Sequence, residues 1–208
     1  MPKFLLFIAA ICFFSCNEGK SDNKNITTTD PAAKKQSLNV KIESSHPYAA
    51  VDLSPMDMSY FPVDYPHIKH QLQDLPVMRL IYSRPQKKGR TIMDNVVKYD
   101  QMWRLGANEC TEIEFFRPVT IQEKKVPAGR YTLYCMPRKD HWQIVLNKGL
   151  YGWGLDIDIS KDIDSFTATL ETTTTVAEYF TAVFEKTNTG ANLIFAWDDT
   201  VAKLPIAF

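Results

Sequence analysis

From residue 77 onward the chain is a succession of short runs in which apolar side chains recur every second residue, broken by Pro, Gly, Asn and Asp clusters. Examples are "VMRLIYS", "TEIEFFRPVTIQ", "RYTLYCMP", "WQIVLNK", "SFTATLETTTT", "EYFTAVFEKT", "ANLIFAW" and "VAKLPIAF". A period of two puts alternate side chains on opposite faces of a strand, and breaks every roughly 8–12 residues mark a sandwich or barrel. "TNTGAN" reads as a hairpin turn, and "EKKVPAG" as a turn followed by a corner. The fold class that follows is all-β: a single antiparallel β-sandwich, jelly-roll or Ig-like, with one or two short helical turns. Those turns are expected in "MDNVVKYDQMW", with Asp94 as N-cap, and in "DISKDI".

The segment 46–76 has no clean period, yet it holds five of the twelve prolines together with Tyr48, Tyr60, Phe61 and Tyr65. So many aromatics argue for an ordered, extended wrap across the domain rather than a linker.

The first 15 residues, "MPKFLLFIAAICFFS", carry one Lys and an apolar run too short to span a bilayer as a helix. A small residue then precedes Cys16, the arrangement of a bacterial lipoprotein signal with Cys16 as the lipidated N-terminus. Residues 16–45 are polar and nearly free of aromatics, so they are expected to form a disordered tether, with the β-domain spanning 46–208. Loss of residues 1–15 removes only Lys3 among the charges and leaves 23 positive against 24 negative side chains, a net of −1. Such a balance offers no field to attract nucleic acid. The expected partner is a membrane, through the lipid on Cys16, at the cell envelope: an outer-membrane lipoprotein facing the periplasm or the cell surface.

Export makes a disulfide between Cys110 and Cys135 the first suspicion. Side-chain parity opposes it, because Cys110 shares a strand face with Glu112 and Glu114 while Cys135 shares one with Tyr131 and Leu133.

Several pieces occur in order: "YSRPQKKGR" (82–90), "WRLGANE" (103–109), "VPAGRYTLY" (126–134), "WQIVLNK" (142–148), "WG" (153–154) and "AW" (196–197). Together they resemble the Domain of Unknown Function 2911 family, exported β-proteins and lipoproteins of Bacteroidetes and relatives, over about residues 46–208. The resemblance implies an architecture and a location but no reaction.

Three constellations carry candidate chemistry. Arg84, Lys88, Arg90, Arg104, Asn108 and Glu109 lie around Gly-containing turns, where Arg forks and an amide suit a carboxylate, phosphate or sugar hydroxyl. The alternative is that the arginines tie loop carbonyls and pair with Glu109. Glu109 is the candidate general base of a hydrolase, with Asp94 or Asp100 as the second carboxylate such chemistry needs. His46, Met56, Met58, His67 and His70 are soft ligands that suit copper, although no strong metal-ligand spacing is present. Trp103, Trp142, Trp153 and Trp197, with Tyr151, offer flat rings to a sugar; of these, Trp153 between two glycines is the one expected to be exposed. Binding of a glycan or another polar ligand is the preferred reading over catalysis or a structural role, and no cofactor is expected.

Overall fold

The computed structural model describes residues 52–208. The signal segment, Cys16, the tether and His46 lie outside those residues. The all-β expectation holds: among the described residues, nine strands form one antiparallel sheet. In chain order these are β1 (Met56–Phe61), β2 (Met78–Ser83), β3 (Thr111–Phe115), β4 (Val119–Ile121), β5 (Lys124–Val126), β6 (Gly129–Pro137), β7 (His141–Asn147), β8 (Asp162–Lys186) and β9 (Gly190–Ala207). Across the sheet the order is β1-β2-β3-β6-β7-β8-β9-β4-β5.

The sheet curls over on itself, because two strands are long enough to serve both of its layers. The first half of β8 pairs with β7, from His141↔Thr169 to Asn147↔Asp162. The register between β8 and β9 slips between Thr172 and Thr181, and the strands continue past that bulge to Lys186↔Ala191. Bulges bend strands and increase their twist. The far half of β8 thereby reaches the β1–β2 end of the sheet, where Phe180 N–H donates to the Pro85 carbonyl and the Ser59 hydroxyl donates to the Ala182 carbonyl. The inward face of this curl is one apolar core, in which Tyr82, Ile113, Trp142, Phe166, Phe180 and Phe195 are at most 2% exposed.

Segment by segment, local pattern and outcome differ in instructive ways. "SFTATLETTTT" and "EYFTAVFEKT" are halves of one strand, and "ANLIFAW" and "VAKLPIAF" are halves of another, each interrupted by a bulge rather than a turn. "TNTGAN" is the β8–β9 hairpin turn, closed by Thr187 N–H to the Gly190 carbonyl. The β4–β5 hairpin turns on Gln122 and Glu123, both at positive φ (47° and 68°), so "EKKVP" contains a strand where only a turn was expected. Segment 46–76 contributes the edge strand β1 and the helix α1 (Tyr65–Ile68), with Pro66 in its first turn. The turn expected over "MDNVVKYDQMW" is not helical. Asp94 has φ 62° instead of a cap conformation, and its N–H bonds the Val97 carbonyl. "DISKDI" does form a 3-10 turn, Ile159–Lys161, capped by the Asp158 carboxylate.

Candidate functional site

The segment 102–110 is held at four places by distant parts of the chain. Trp103 exchanges two backbone hydrogen bonds with Cys135 of β6, at 2.8 and 2.7 Å. The Ser83 hydroxyl, at the end of β2, accepts from Ala107 N–H at 2.6 Å and donates to the Ala107 carbonyl. Asn108 Nδ2 donates to the Asp52 carboxylate at 2.7 Å, and Cys110 N–H donates to the Gly152 carbonyl at 2.9 Å. Between these ties the backbone is forced into left-handed geometry at Leu105 (φ 55°) and Asn108 (φ 59°). Leu105 is nonetheless fully buried. A branched apolar residue in that region costs about 1 kcal/mol or more, which the buried side chain and the four ties must offset. Gly106, at φ 150°, passes so close to β2 that a Cβ would meet Ser83 Oγ at 2.8 Å.

This fixed corner presents Arg104 outward. Its Nη1 donates to the Trp153 carbonyl at 2.7 Å, and its guanidinium lies 5.7 Å from the centroid of the Trp153 ring. Trp153 is half exposed, as its position between two glycines leads one to expect. Gly154 makes the approach possible: at φ 83°, a Cβ there would stand 2.7 Å from Arg104 Cβ and Cδ and 2.9 Å from Cys110 Sγ.

Beside this pair lies a depression of about 350 Å³, lined by Pro85, Arg90, Met102, Trp103, Arg104 and Leu155 among others. Its floor includes Trp197, whose ring stacks on Trp103 at 6.0 Å and 20°. The Trp197 Nε1–H is buried and finds no acceptor among the described residues. Arg90 is clamped along one side, with Nε donating to the Lys87 carbonyl at 2.9 Å and Nη2 to the Gln86 carbonyl at 2.5 Å. The volume is at the low end of the range for small-molecule sites, roughly 300–1,000 Å³. A larger groove of about 630 Å³ runs beside β1, but its lining is mostly apolar. The smaller depression alone gathers Arg90 and Arg104.

Other candidates are placed elsewhere. Arg84 is taken up by the fold: Nε donates to the Phe180 carbonyl, Nη1 to Asp57 and Nη2 to Thr181, while the group stacks 5.9 Å from the Tyr179 ring. It fastens the β1–β2 end to β8 and does not line the depression. Asn108 is similarly occupied with Asp52 and the Ser54 carbonyl. Glu109 is exposed and makes no hydrogen bond or ion pair with the described residues, so the expected Arg104–Glu109 pair is replaced by Arg104 with Trp153. Lys88 is exposed, and its N–H bonds the Glu178 carboxylate.

Of the soft metal candidates, Met56 and Met58 line the larger groove from the exposed face of β1. His67 and His70 are exposed in α1 and the 3-10 turn after it, and neither lines that groove. Among the described residues no three His, Cys, Asp or Glu side chains are placed to share a metal ion. Cys110 and Cys135 are free and buried. Burial pushes the Cys110 thiol up, with the Arg104 charge pulling the other way, and burial pushes Cys135 well up. Neither supplies a thiolate nucleophile at neutral pH. Trp142 belongs to the core, and Trp103 is partly buried against it, in edge-to-face contact at 5.4 Å.

Sequence reasoning missed Met102, Leu155, Pro85 and Ser54 as lining residues, because small and apolar side chains in loops carry no chemical signature. Trp197, one of the rings offered to a sugar by the sequence, does line the depression, but as a buried residue only 2% exposed.

No curated protein and no solved structure matches the chain. One family model does, over residues 66–206, a span that contains the corner, both arginines of the depression and every strand after β1 save the last residue of β9. The chain belongs to the family described as Protein of unknown function (DUF2911).

Proposed function

We propose that the protein is a lipid-anchored binding protein of the bacterial cell envelope, of the Bacteroidetes type, which takes a glycan or another polar ligand in the depression beside Arg104. The observation that carries this reading is the Arg104–Trp153 pair. A guanidinium held on one side by a carbonyl, against a half-exposed indole, is a pre-oriented donor next to a flat apolar face. Sugars present that combination of hydroxyls and flat C–H faces, and fixing donors before binding lowers the entropy lost on association. The apolar run ending at Cys16 supports the anchor and an outer-membrane location facing the periplasm or the surface.

The test is a thermal-shift and calorimetric screen of the full-length chain against an oligosaccharide panel, repeated with Arg104→Ala. Binding that the substitution abolishes supports the reading, and binding that survives it places the ligand elsewhere. For the anchor, Cys16→Ser should move the protein from the membrane to the soluble fraction; retention on the membrane contradicts lipidation as the attachment. The alternative of a hydrolase using Glu109 gains no support from its position, since it does not line the depression.

A further inference from the structure

We infer that the ligand of this depression is an acidic oligosaccharide, whose carboxylate or sulfate is taken by Arg90 and Arg104; the inference rests on the binding function proposed above. The chain as a whole has equal numbers of basic and acidic side chains, so a charge asymmetry at one place is a local property. The depression has such an asymmetry. Two guanidinium groups line it and no carboxylate does.

Two of the acidic residues near it in sequence face other partners, while Glu109 and Asp156 are exposed, outside the lining and without a hydrogen bond or ion pair among the described residues. Asp198 follows the floor residue Trp197, yet its carboxylate pairs with Lys87 Nζ at 2.8 Å and accepts from Ile92 N–H. Asp52 lies two residues before Ser54 and accepts from Ser54 N–H and from Asn108. The Asp198 charge is therefore answered by Lys87 and the Asp52 carboxylate is held by neutral donors, whereas the arginines are only partly engaged. Each is fixed by loop carbonyls through one part of its fork: Arg104 through Nη1, Arg90 through Nε and Nη2. Carbonyls orient a guanidinium without neutralising it. The remaining N–H groups, Nη2 and Nε of Arg104 and Nη1 of Arg90, have no partner among the described residues. Planar forks with free N–H donors suit the two oxygens of a carboxylate or sulfate.

The apolar part of the lining separates an acidic sugar from a bare anion. Trp103, Leu155 and the neighbouring Trp153 offer surfaces that inorganic phosphate cannot use, while the C–H face of a pyranose ring can. Trp153 is 55% exposed and Leu155 78%, so this apolar surface stands open beside the charges.

The experiment pairs acidic oligosaccharides with their neutral counterparts. Full-length protein in detergent is titrated calorimetrically with oligogalacturonate, sialyllactose and a heparin-derived tetrasaccharide. The matched probes are the carboxyl-reduced, asialo and desulfated forms, with inorganic phosphate as a further probe. At least one acidic member should bind about tenfold more tightly than its neutral match. That preference should shrink at high salt. Arg90→Gln should weaken the acidic member about tenfold more than its neutral match, whereas Arg90→Lys should restore part of the difference. Equal affinity for both members overturns the acidic inference and leaves the polar-ligand function standing. Binding of phosphate alone overturns it in favour of a small anion. Absence of binding by every probe overturns both.

Discussion

Arg104 grips Trp153 twice, through a 2.7 Å hydrogen bond to its carbonyl and by stacking 5.7 Å from its ring centroid. The first contact ties the loop after β7 to the corner before β3, and the second leaves one face of the indole toward solvent. An exposed cation–π contact is worth about 0.5–1 kcal/mol, so it positions the ring more than it stabilises the fold. Trp142 and Trp197 are 1% and 2% exposed, against 55% for Trp153. Trp153→Phe should therefore remove most of the acrylamide-quenchable, red-shifted tryptophan emission while changing stability by less than about 1 kcal/mol. Quenching that persists in the variant contradicts the placement.

Gly154 is where this arrangement is most sensitive to added volume. Gly154→Ala adds a carbon 2.7 Å from two Arg104 carbons at a backbone φ of 83°. The expected cost is about 1–3 kcal/mol, from overpacking and from the left-handed backbone. Trp153 emission should change with it, since Arg104 must move. A variant with wild-type stability in urea would show that the loop has another way to pack.

Ser83 is 0% exposed and serves both backbone groups of Ala107. Ser83→Ala leaves the half-buried N–H and carbonyl of Ala107 without that partner, which should cost about 1–3 kcal/mol. A fall in melting temperature on the order of 5 °C is expected for a domain of this size. An unchanged melting temperature would mean that the corner is held by its other ties alone.

Stability should fall on the alkaline side. Burial, then the hydrogen bond donated to the Asp162 carboxylate at 2.6 Å, raise Tyr134 far above the ordinary tyrosine range. A tyrosine raised in the folded state ionises first in the unfolded chain. Its contribution is complete below about pH 10, the unfolded value, and is lost as pH rises through the folded value. Tyr82 and Tyr131 are raised by burial as well, so the decline has several sources. Tyr134→Phe should make the stability–pH curve above about pH 10 shallower without flattening it. An unchanged slope would remove Tyr134 from the account.

What the sequence made legible follows from where the physics is local. Alternation in "TEIEF" and "WQIVLN" is a one-strand property, and those strands appear as read. The unity of β8 was hidden, because "TTTT" looks like a break while a bulge needs only a partner strand to tolerate it. The β4–β5 turn was hidden because Gln122 and Glu123 adopt positive φ without the usual Gly or Asn. At the site, charge was visible and neighbourhood was not. Arg84 and Arg104 look alike in sequence, yet the curl of the sheet brings Phe180 and Thr181 to one and the Trp153 loop to the other. Parity did correctly separate the two cysteines. Cys110 is buried all the same, because it precedes β3 and faces the Gly152–Gly154 loop.

The most direct test of the binding function is calorimetry of Arg104→Ala beside wild type, with whichever oligosaccharide the screen finds, and a melting curve of each. The expected result is loss of binding by tenfold or more, roughly 1.4 kcal/mol or greater, with the melting temperature moved by no more than about 4 °C. Undiminished binding, or a collapse in melting temperature that accounts for the loss, would contradict it and leave Arg104 as a brace for the corner alone.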